Sequence, residues 1–89
     1  MATLEIYLEK EYNKKLGMGP TAKKIFQRIN EESEVILNFE NIEFMSRSFA
    51  QEYISQKHHS DCNITEINMP DSIENLLKVV DEDFEKTYQ

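Results

Sequence analysis

The sequence predicts a small α/β fold in which a sheet of three to four mostly parallel strands is packed with three helices. Three observations carry that expectation. Apolar residues alternate with a period of two near the N-terminus, residues 35 to 39 form a nearly continuous apolar run, and three further segments show apolar stripes at helical spacing. The resulting order, strand and helix alternating three times, implies parallel strands joined by right-handed crossovers. With 89 residues the chain has room for one core, so residues 1–89 are read as a single domain.

The first strand rests on Leu4, Ile6 and Leu8 alternating with Glu5, Tyr7 and Glu9. Residues 10 to 18 are charged and aperiodic. Gly19-Pro20-Thr21 then offers a helix start, with proline in the first turn where its missing N–H costs nothing. Ala22, Ile25, Phe26 and Ile29 form the stripe of this first helix, expected to end near Glu32. Val35-Ile36-Leu37-Asn38-Phe39 is too short for an independent helix and reads as the central strand, covered on both faces. Ile42 and Phe44 resume a strand-like alternation after a turn at Glu40-Asn41. Ser48 and Gln51 have the spacing of a capping box and open a second helix, whose apolar face is Phe49, Ala50, Tyr53 and Ile54 and which fades near His58-His59. Cys62, Ile64, Thr65 and Ile67 suggest a third strand. Asp71 and Glu74 form another candidate capping box before the stripe Ile73, Leu76, Leu77, Val80 and Phe84. Helices on both faces would give a doubly wound sheet, whereas helices on one face would leave the other available for binding.

Composition narrows the function classes. Ten basic against 17 acidic residues give a net charge of −7, which opposes indiscriminate binding to nucleic acid or anionic lipid. The charge is uneven: residues 1–28 hold six Lys/Arg against three Glu, or +3, and the remainder holds four against 14, or −10. The N-terminal third could therefore attract an acidic partner, although Lys23, Lys24 and Arg28 are more simply read as the solvated face of a helix. No apolar run reaches membrane-spanning length, and Met1-Ala2-Thr3-Leu4-Glu5 lacks the basic-then-apolar order of a secretory leader, so a cytoplasmic location without membrane contact is expected. A single cysteine, Cys62, excludes an internal disulfide framework.

The stretch Val35-Ile36-Leu37-Asn38-Phe39-Glu40-Asn41-Ile42-Glu43-Phe44-Met45-Ser46-Arg47-Ser48-Phe49-Ala50-Gln51-Glu52 resembles the STAS superfamily, the fold of bacterial anti-anti-sigma factors. It is most similar to small STAS-like domains of unknown function, with Leu37-Asn38-Phe39 and Phe49-Ala50-Gln51-Glu52 standing for their Leu-Asp-Phe and Phe-Ala-Asp-Glu motifs. The resemblance extends over about 70 residues, from the helix at Thr21 to the final helix. It implies a non-enzymatic regulatory interaction module, without cofactor, that binds a protein partner such as a histidine-kinase-type ATPase through the loop at the start of the second helix. The expected contact residues are Ser46, Arg47, Ser48, Gln51 and Glu52, and the expected state is a monomer or weak homodimer. Two departures limit the transfer. Arg47 stands where anti-anti-sigma factors carry a phosphorylated serine, and Asn38 replaces the usual Asp.

Other constellations are weaker. His58-His59-Ser60-Asp61-Cys62 gathers four potential metal ligands, but adjacent helical histidines point about 100° apart and no second Cys or His pair exists, so no metal is expected. Cys62 at a strand start reads as a small buried residue rather than a nucleophile. Gly17-Met18-Gly19 before a helix has the look of a phosphate-binding turn, yet lacks the remainder of a P-loop or dinucleotide fingerprint. It supports the alternative reading, a small ligand or nucleotide-binding domain whose mouth would be the Gly17 to Pro20 turn and the Met45 to Ser48 loop. No carboxylate pair occupies a catalytic frame, and no enzymatic activity is expected.

Overall fold

In the computed structural model, which describes residues 3–88, the chain runs β1 (Thr3–Tyr7), α1 (Leu8–Glu11), β2 (Lys15–Leu16), α2 (Gly19–Ile29), β3 (Glu34–Asn38), β4 (Phe44–Met45), α3 (Arg47–His59), β5 (Asn63–Ile67) and α4 (Asp71–Tyr88). Met1, Ala2 and Gln89, which the single-domain reading and the leader expectation include, lie outside the described residues. The main sheet has the order β1-β3-β5, all parallel, and β2 pairs with β4 in a separate parallel ribbon. The expected α/β class is what the chain adopts, with β3 central.

The strand order decides the layering. Because the strands advance steadily from β1 to β3 to β5, two right-handed crossovers place α2 and α3 on the same face. Burial agrees. Leu4, Ile6, Val35, Leu37, Ile64 and Glu66 share one face through their register, and Ile6, Val35 and Leu37 are at most 1% exposed. On the opposite face Glu5, Glu34, Asn63 and Thr65 are exposed, while Tyr7, Ile36 and Ile67 are half-buried. The run at 35 to 39 is therefore covered by helices on one side only, contrary to the expectation that both faces would be covered. Its apolar continuity has another origin. Val35, Leu37 and Phe39 face inward, and Asn38, buried on the outer side, is held by the Glu5 carboxylate, the Glu40 N–H and the Asn68 amide.

The core centres on Tyr53, whose ring lies 5.5 Å from Phe26 and 6.2 Å from Phe39 in edge contact and stacks with Phe49 at 6.3 Å. Its buried hydroxyl donates to Glu66 on β5, and Lys57 pairs with the same carboxylate at 3.2 Å. This explains a charged residue on the inner face of an edge strand: Glu66 satisfies a phenol that the aromatic cluster takes out of water.

Element boundaries differ from the sequence expectation in four places. Leu8 leaves the strand and opens α1, a single turn whose Leu8 carbonyl accepts from the Tyr12 and Asn13 N–H groups; the residue stays buried, so the alternation survives the change of conformation. The charged segment after it contains β2, where Leu16 is opposite Met45 and both are buried. The helix α2 stops at Ile29 rather than Glu32, consistent with the poor fit of Glu31 and Glu32 to the negative end of a helix dipole. Finally, Ser46, not Ser48, caps α3, its hydroxyl accepting from the Phe49 N–H at 3.0 Å.

Candidate functional site

The β2–β4 ribbon joins the two segments that lead into α2 and α3. The Ser46 N–H donates to the Leu16 carbonyl, and the Ser46 hydroxyl donates to the Gly17 carbonyl at 2.9 Å while capping α3. One serine thus fixes the start of α3 and ties it to the turn before α2. The Gly17 to Pro20 turn and the Met45 to Ser48 loop, expected to form one mouth, are brought together by this bond.

The space between them is narrow. A Cβ on Gly19 would lie 3.0 Å from the Ser48 hydroxyl and 3.4 Å from its carbonyl oxygen. Gly19 therefore lets α2 approach the start of α3, which is sufficient reason for a glycine at this position. A shallow groove continues outward between the helices, lined by Pro20, Lys23, Ser48, Gln51, Glu52 and Ser55.

The five residues expected to contact a partner divide by environment. Ser46 is half-buried and is engaged in the two bonds described. Arg47, Ser48 and Gln51 are exposed. Glu52 is half-buried and accepts from the Gln56 amide at 3.0 Å. The Arg47 guanidinium, one of the expected contacts, pairs with Asp83 of α4 at 3.0 Å, with both side chains 55% exposed. At the other end of the same helix, His58 pairs with Asp81 at 2.6 Å and stacks on Phe84 at 4.5 Å. Arg47 and His58 lie about 16 Å apart along α3, yet their partners are two residues apart on α4.

The histidine and cysteine cluster is divided by these contacts. His58 turns to α4, whereas His59 donates through Nδ1 to the Ser55 carbonyl. Cys62 is half-buried, and burial followed by the nearby Glu32 and Glu34 charges pushes its thiol above the ordinary value, away from the nucleophilic thiolate. Among the described residues, no group of three or more His, Cys, Asp or Glu side chains is placed to hold a metal ion.

Two residues at this end of the molecule were not singled out from the sequence as contact residues. Met18 is 68% exposed and Phe44 is 49% exposed. The alternation of Ile42 and Phe44 suggested a buried Phe44, but Ile42 sits in the turn and the two-residue strand directs Met45 inward. The signal was the adjacent pair Phe44-Met45, since only one of two successive strand residues can face a core.

No protein-family model, curated protein or solved structure matches this chain. Among the described residues, no helix is long and apolar enough to cross a membrane.

Proposed function

We propose that this chain is a non-enzymatic regulatory module of the STAS-like kind, acting in the cytoplasm as a monomer or weak homodimer and binding a protein partner through the loop at the start of α3. The observation that carries this reading is the loop's construction. Ser46 holds it from two directions, and it presents Arg47, Ser48 and Gln51 to solvent from a backbone that has little freedom left to lose on binding. Arg47 supplies a permanent charge for an acidic group on a partner such as a histidine-kinase-type ATPase. The ligand-binding alternative is less well served. Gly19, at the helix end of the glycine turn, is closed off by Ser48, and a sheet whose strands run in the order β1-β3-β5 has no crevice at a reversal of strand order.

The test is a pull-down from native cell extract comparing wild type, Arg47→Glu and the control Lys86→Glu, with circular dichroism confirming that all three fold. Arg47→Glu is expected to remain folded, since an exposed ion pair is worth about 0–1 kcal/mol, and to lose partner capture that Lys86→Glu retains. Equal recovery of the same partners by all three would place the contact elsewhere.

A further inference from the structure

Lys15 and Phe44 are opposite one another in the β2–β4 ribbon and both are exposed. Lys15 also lines a hollow of about 350 Å³ whose walls include Tyr12, Leu16, Met18 and Thr21. Lysine thus stands between an exposed phenylalanine and a partly apolar hollow beside an exposed methionine. Met18 and Phe44 are two of the three large apolar side chains that stand out as exposed among the described residues, and both belong to this one end of the molecule. Scattered exposed apolar residues need no explanation; Met18 on the wall of a hollow and Phe44 across the ribbon from a lysine of the same wall make a contact surface.

The charge of the surface is positive. Lys15 has no ion pair among the described residues, and its neighbour Lys14 reaches Glu43 only at 4.0 Å. The one acid lining the hollow, Glu11, is engaged by Arg28. The ribbon lysines belong to a chain whose residues 29–89 sum to −10, so this surface is where an acidic segment would be attracted rather than repelled.

We infer that the ribbon surface seats an acidic segment of a partner protein, with one apolar side chain entering the hollow between Tyr12, Met18 and Thr21 and flanking carboxylates meeting Lys14 and Lys15. The inference rests on the protein-interaction reading and extends the contact from the α3 loop onto the ribbon. A second copy of this chain is the rival occupant, because α4 exposes Val79 among acidic residues. Mutual repulsion between two chains of net charge −7 argues for a different protein.

The probe is a phage library of short random peptides panned on the immobilised full chain, followed by fluorescence anisotropy with the enriched peptides and sedimentation of the chain alone. Enriched peptides should combine one apolar residue with neighbouring Asp or Glu, and their binding should weaken about tenfold or more in Phe44→Ser and in Lys15→Glu. Lys15→Glu alone carries the comparison if Phe44→Ser does not fold. No enrichment, enriched peptides without acids, or unchanged binding by both variants would overturn the inference. Arg47→Glu separates the two ideas. Binding lost in Arg47→Glu but kept in Lys15→Glu would sustain the α3-loop reading and remove the ribbon surface, whereas binding kept in all variants would remove both. Self-association abolished by Lys15→Glu or Glu82→Lys would make a second copy the occupant and likewise overturn it.

Discussion

Ser46 and Ser48 differ by two positions and by their work. Ser46 accepts from the Phe49 N–H and donates to the Gly17 carbonyl, while Ser48 lies exposed against Gly19. Ser46→Ala should therefore cost about 1–2 kcal/mol, the usual loss of a helix cap, and Ser48→Ala about 0.5 kcal/mol or less. Urea melts of the two variants decide this, and a larger loss in Ser48→Ala would restore the capping box expected from Ser48 and Gln51. Asn38 makes a similar point about chemistry at a single atom. Its amide donates to the Glu5 carboxylate at 3.3 Å and its oxygen accepts from Glu40 and Asn68. An Asp here could not donate to Glu5 when ionised, and would set a buried carboxylate against the exposed one of Glu5.

At the level of elements, α3 is held to the sheet by the bond from Tyr53 to Glu66 on β5. Burial first, then the Glu66 charge and the hydrogen bond, raise the Tyr53 hydroxyl well above its ordinary value of 10.0. The folded state thus keeps a proton that the unfolded chain gives up in strong alkali. Tyr53 contributes stability that is full below about pH 10 and is lost as pH rises from there towards the folded-state value. Denaturant melts from neutral pH to pH 11 should show a fall in stability that begins near pH 10 and is reduced in Tyr53→Phe; an equal fall in both proteins would assign alkaline sensitivity to other groups. The sequence made the long elements legible because α2 and α4 each carry a full stripe, and β3 is an apolar run bounded by polar residues. It did not disclose β2, and of β4 it showed only the alternation of Ile42 and Phe44. Two-residue strands have no period to detect, and Leu16 and Met45 acquire meaning only when they meet. The loop at Ser46 to Ser48 was recognisable as a helix start, but its tie to Gly17 and the Arg47–Asp83 pair depend on contacts across 29 and 36 residues, which local pattern cannot express.

On the scale of the whole molecule, the sheet separates two environments that adjacent residues of one strand sample in turn. Leu37 is fully buried under the helices, while Ile36 is half-buried on the uncovered face beside Glu5 and Thr65. Leu37→Ala removes packed volume from an interior with little room to relax and should cost about 2–5 kcal/mol. Ile36→Ala loses strand preference and partial burial only, which amounts to about 1 kcal/mol. The comparison is informative because both residues occupy the central strand between β1 and β5, so the difference reports the layer above each face. Chemical denaturation of the two variants, fitted with a common slope, measures it. Equal losses would mean that the outer face is covered in solution, by a second copy or by an unrecognised part of the same chain. In that event the one-sided layering derived from the β1-β3-β5 order would fail, and the outer face would replace the helix starts as the first surface to test for a partner.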